Sequence, residues 1–96
     1  MIDFLKDLGI SNETLDSLYK NLSEGVIYSL SCNEYEIVEI IKYFKEIGIK
    51  DIDQLFLSKT GLFIESLKDI KELFKNKDIK STVEMINSDI DYIDEL

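Results

Sequence analysis

Phe4–Ile10 reads FLKDLGI, Tyr43–Ile49 reads YFKEIGI and Leu73–Ile79 reads LFKNKDI: one phrase set down three times, each copy followed by a polar residue and a short helix-like stretch. The phrases end at Ile10, Ile49 and Ile79, offsets of 39 and 30 residues, which is the range of single supersecondary units stacked on their neighbours. The stretches downstream repeat as well, LYKNLSEGVIYSL from Leu18, LFLSKTGLFIESL from Leu55 and the shorter MINSDIDYIDEL from Met85. The linker Ser31–Lys42 is longer than Lys68–Glu72, which makes the first offset the larger one. The reading is a single all-α domain over 1–96. It is a short helical-repeat, solenoid-like bundle of about two and a half helix-turn-helix units, at about 1–42, 43–72 and 73–96.

Helix signals support the class. In Asn33–Ile47 the residues Ile37, Ile40, Ile41, Phe44 and Ile47 recur at the i, i+3, i+4 spacing of one face, with Glu36, Glu39, Lys42 and Lys45 opposite. Ser31 with Glu34, or Asn33 with Glu36, places a capping side chain and a carboxylate three apart at its start. Gly48 stops it by taking the left-handed conformation, Gly9 does the same after Phe4–Leu8, and Asp78 fills that place in the third phrase. Second helices start at Ser11, Asp51 and Ser81, the last with Glu84 three residues on, and brief third stretches open at Ser23, Lys59–Thr60 and Ser88. IYSLSC and LFLSKTGLFI carry enough β-branched and aromatic residues to compete as strands.

Composition narrows the setting. At 96 residues, 45% hydrophobic and 32% charged, the chain has the balance of one globular domain with a modest core. The uncharged run Gly25–Asn33 is far short of the roughly 20 apolar residues a spanning helix needs, and MIDFLKDL lacks the basic and apolar regions of a signal peptide. A cytoplasmic location without membrane partners is expected, and the lone Cys32 agrees with a reducing compartment. All 11 basic residues are Lys and there is no His, Pro or Trp, a bias that AT-rich codons produce and that points to a low-GC bacterial or mobile-element origin.

The pattern Leu5-x-x-Leu8-Gly9-Ile10, then Leu15 and Leu18, an apolar pair, Ser29, and a longer helix ending in Phe44-x-x-Ile47-Gly48-Ile49 resembles the helical repeats of the mitochondrial transcription termination factor (mTERF) family; Ser66 stands where Ser29 does in the next copy. The resemblance implies a nucleic-acid-binding, right-angled solenoid of three-helix repeats. The family usually has Pro before the apolar pair, where this chain has residues near Glu24, Thr60 and Ser88.

Charge runs against that function. Duplex DNA carries about one negative charge per 1.7 Å, and nonspecific affinity comes from Lys and Arg neutralising it. The chain has a formal net charge of −9, with −3 in each of Met1–Ser31, Cys32–Ser66 and Leu67–Leu96. Only Lys68–Lys80 is locally basic. There Lys68, Lys71 and Lys75 fit one helix face, either a solvated face or a nucleic-acid contact. The acidic end Asp89–Leu96 has oxygen ligands for Ca²⁺ or Mg²⁺ but no EF-hand Gly and distant Glu, so it reads as a terminal helix with solvated acids; Asp51 and Asp53 read as residues that complement a helix N-terminus.

Without His, a Gly-rich phosphate loop or a Cys cluster, the usual general bases, nucleophile partners and cofactor cradles are missing, so neither catalysis nor a cofactor is expected. Cys32, beside the start of the Asn33–Ile47 helix, reads as a small apolar residue rather than an activated thiol. Tyr19, Tyr28, Tyr35, Tyr43 and Tyr92 suit positions half buried and half wet, and Tyr35, off the apolar stripe, is a candidate contact residue. The leading expectation is a non-enzymatic protein-interaction module whose partner is another protein or a second copy. The alternatives are an mTERF-like nucleic-acid binder using Lys68–Lys80 and an acidic DNA mimic that occupies a DNA-binding protein.

Overall fold

Helix boundaries follow capping chemistry over most of the chain. The computed structural model describes residues 1–96. It has six α-helices, α1 (Asn12–Asn21), α2 (Glu24–Cys32), α3 (Glu34–Ile47), α4 (Ile52–Ser58), α5 (Leu67–Phe74) and α6 (Ile79–Ser88), with three 3₁₀ helices, η1 (Asp3–Leu8), η2 (Thr60–Ile64) and η3 (Ile90–Glu95), and no strand. The side chains of Ser11, Ser23, Asp51 and Ser66 each accept a backbone N–H three residues on, from Thr14, Val26, Gln54 and Asp69, at 3.1, 3.2, 3.0 and 3.2 Å. Gly9 and Gly48 end η1 and α3 at φ 93° and 103°. In both turns the glycine N–H bonds three residues back and the following Ile N–H five residues back, the Schellman arrangement.

Several expected boundaries shift. Asp78 has φ −74° and precedes α6; the positive φ of the third turn, 64°, falls on Asn76. Asn tolerates that conformation through local hydrogen bonding better than most residues. Helix α6 begins at Ile79, so Ser81 lies inside it and donates its hydroxyl to Asp78 instead of capping. Ser88 closes α6, and Asp89 caps η3 by accepting from Asp91 N–H. Neither capping pair forms at the start of α3. Asn33 is the boundary residue, but its amide group donates to the carbonyls of Phe63 and Glu65, and Glu36 accepts the Leu67 N–H at 2.8 Å. Tertiary partners have taken both side chains. Helix α3 runs across 42/43 and α5 across 72/73, so those two positions lie inside helices. IYSLSC and LFLSKTGLFI are helical.

Helix α3 is the centre of the packing. It lies against η1, α2, α4, η2, α5 and α6, and its stripe Ile37, Ile40, Ile41 and Phe44 is buried. Around it a single core of 21 residues closes, with the Phe44 ring edge-on to Phe63 and Phe74 at 5.8 and 6.5 Å and Phe56 stacked on Phe63 at 4.0 Å. The radius of gyration, 12.9 Å, matches the ~12.5 Å of a compact chain of this length.

Polar clips tie the first two phrase turns to helices later in the chain. Lys45 donates to the Leu8 carbonyl at 2.6 Å and Asp53 accepts the Ser11 N–H at 2.9 Å, so α3 and α4 hold the η1–α1 turn. Asn87 of α6 likewise accepts from Lys50 N–H and donates to the Gly48 carbonyl, both at 3.0 Å, holding the α3–α4 turn.

Asp53 makes a pH prediction. Burial alone would raise its pKa, but hydrogen bonds from the Ser11 N–H, the Thr14 and Ser11 hydroxyls and its own N–H outweigh burial and hold it below the ordinary value of 3.8. A depressed folded-state pKa contributes stability that is present above the unfolded value and lost as pH falls through the folded one. Asp53→Asn should therefore unfold more easily than the parent at pH 7, by less than about 1 kcal/mol because solvent screens the carboxylate, and converge with it in strong acid once pH has fallen through the folded-state value. Urea titrations at the two pH values check this; a gap of equal size at both would refute it.

Candidate interaction surface

At the α1–α2 corner, Leu22 leaves the helix with ψ 148° and Ser23 starts the next one. The turn sets the last turn of α1 beside the first turns of α2. Their outer sides, with Met1, enclose a cleft of about 410 Å³ lined by Met1, Tyr19, Leu22, Glu24, Ile27 and Tyr28. Tyr19 organises its edge: its hydroxyl accepts the Ile2 N–H at 2.9 Å and donates to Asp3 at 3.3 Å, tying η1 to α1. Leu22 and Ile27 form the floor. Ile27 is buried, whereas Met1 and Tyr28 are 64% and 61% exposed and stand up at the sides. Tyr28 titrates above the ordinary tyrosine value, chiefly through hydrogen bonding with the Cys32 side chain, and presents a neutral phenol.

The other two clefts offer less free chemistry. The one between α4 and the end of α6 holds Lys50, Asp51, Asn87 and Asp89, but Asp51 caps Gln54, Asp89 caps Asp91 and Asn87 is the clip already described. The shallow one beside η3 is bordered by Lys59 and Asp94. Lys59 bonds Asp94 at 2.6 Å and Asp91 at 2.9 Å, and those hydrogen bonds, Asp94 first, raise its pKa. Two acids of the C-terminal segment thus hold η3 to the α4–η2 corner. No group of three or more His, Cys, Asp or Glu side chains is placed to hold a metal ion.

The residues singled out in the sequence separate. Tyr35 is 77% exposed on the first turn of α3 and does not line the cleft. Lys68 and Lys71 lie on α5, but that helix ends at Phe74 and Lys75 follows it in an extended conformation. Lys71 sits over the Tyr43 ring, 5.5 Å from its centroid, a cation–π contact that occupies it within the fold. Cys32 is exposed at the end of α2, directly before Asn33, the N-cap position of α3. The cleft itself was foreshadowed only by Tyr19 and Tyr28 flanking the short break Leu22–Ser23.

No family model, no curated protein and no solved structure matches this chain. No helix is long and apolar enough to cross a membrane.

Proposed function

We propose that this protein is a non-enzymatic interaction module, a short stack of three-helix units whose N-terminal end presents the Tyr19–Tyr28 cleft to another macromolecule. One observation carries the reading: of seven exposed large hydrophobic residues, three (Met1, Tyr19 and Tyr28) converge on this one cleft. Scattered surface apolar residues are ordinary, whereas a gathered set beside a concavity marks a binding site. Tyr supplies contact area at low conformational cost and is enriched in interfaces. The repeated clips, Asp53 and Lys45 on the first turn and Asn87 on the second, support the stacked-unit reading of the fold, in which each unit touches its neighbour.

A photo-crosslinking residue at position 28, compared with one at the exposed position 84 on α6, tests the proposal in cells that make the protein. Discrete adducts from 28 and none from 84 are expected. No adduct from 28, or the same adducts from both, would remove the reading.

A further inference from the structure

Resting on that interaction reading, we infer that the cleft's occupant is a basic amphipathic helix of another protein, which seats one apolar side chain between Tyr19 and Tyr28 and lays its cations against the surrounding carboxylates. The shape of the backbone limits the choices. An all-helical chain has no sheet edge to which an extended peptide could add, whereas a helix arrives with its own N–H and C=O groups already satisfied. A cleft of about 410 Å³ floored by Leu22 and Ile27 takes an anchor side chain rather than a whole backbone.

Charge selects the sign of the partner. Glu24 lines the cleft and Asp3 bonds the Tyr19 hydroxyl at its rim. The segment that builds the cleft carries Asp3, Asp7, Glu13, Asp16 and Glu24 against Lys6 and Lys20 alone. Among these acids only Asp3 has a cationic partner, the Met1 ammonium at 3.8 Å, while the lysine ion pairs, Lys42–Glu39, Lys59–Asp91 and Lys59–Asp94, lie elsewhere and leave Glu24 in the cleft unpaired. Opposite charge on the partner steers encounter and sets specificity, while a second copy would bring a further net charge of −9 to the same place.

The probe is a labelled 18-residue helical peptide with Leu and Phe on one face and Lys on the other, read by anisotropy at about 50 and 300 mM salt and by amide chemical shifts of the intact protein. Controls are the same composition scrambled so that the faces mix, and a version with Glu in place of Lys. The basic amphipathic peptide should bind, shift amides of α1 and α2, and weaken as salt rises. Tyr28→Ser, at an exposed position and so compatible with folding, should weaken it about tenfold or more, and Glu24→Lys about fivefold with a flatter salt response. Equal binding by either control, shifts centred elsewhere, or no binding would overturn the assignment. Concentration-dependent dimerisation in sedimentation, with shifts at the same α1–α2 amides, would overturn it in favour of a second copy. In each case adducts at position 28 in cells would keep the broader reading standing, and their absence would end both.

Discussion

Phe44→Ala should lower the unfolding free energy by about 3–5 kcal/mol, the usual cost of removing a large aromatic side chain from a packed core. Phe44 is fully buried in the last turn of α3, touching Tyr43, Phe63 and Phe74. Those rings come from α3, η2 and α5, so truncation leaves a void where separate elements meet and where collapse is hindered by each of them. A domain of this size has about 5–15 kcal/mol in total, and each kcal/mol moves the midpoint by roughly 4–8 °C. Thermal unfolding followed by circular dichroism should show a fall of at least about 12 °C, or no cooperative transition at all. Phe44→Leu, which keeps most of the volume, should cost under about 1.5 kcal/mol. A midpoint within 5 °C of the parent for the alanine variant would mean that α3 is not the centre of the core.

Gly48→Val should cost about 2–3 kcal/mol, for a reason that lies in the backbone. Gly48 holds φ 103°, where a β-branched side chain is strained, yet a Cβ there would meet Val83 at an ordinary 3.5 Å, so crowding contributes little. If the turn relaxed to negative φ, the Ile49 N–H bond to Phe44 and the Asn87 bond to the Gly48 carbonyl, 2.9 and 3.0 Å, would both be disturbed. Gly48→Asn should recover most of the loss, because Asn already occupies the third turn at φ 64° in Asn76. Equilibrium urea unfolding of the two variants gives the comparison. If valine and asparagine cost the same, positive φ is not the controlling term.

The all-helical class and many helix boundaries were legible from local chemistry. The stripe Ile37–Ile40–Ile41–Phe44 is buried as its spacing required, and Ser11, Ser23 and Asp51 cap the helices they precede. These rules act over three or four residues, which is why a reader of the chain can apply them. The misplaced features share a different origin. Asn33 and Glu36 have the form of a capping pair, but their partners lie about thirty residues away at Phe63, Glu65 and Leu67. The third phrase looks like the other two until its turn, where Asn76 takes the positive φ and α6 starts before Ser81. Helix α5 stops at Phe74, and the chain turns out of it through the ψ of Lys75, 136°.

What the amino-acid order determined by itself was periodicity, caps and charge: helices of known face, glycine turns at Gly9 and Gly48, and an acidic surface of net charge −9. Tertiary structure alone decided which exposed side chains meet. Met1, Tyr19, Leu22, Glu24, Ile27 and Tyr28 become one cleft because the angle between α1 and α2 and the hydrogen bonds of the Tyr19 hydroxyl to Ile2 and Asp3 bring them together. Helix periodicity specifies a residue's face, but the angle at which two faces join is set by packing over the whole core, which no short window of sequence contains.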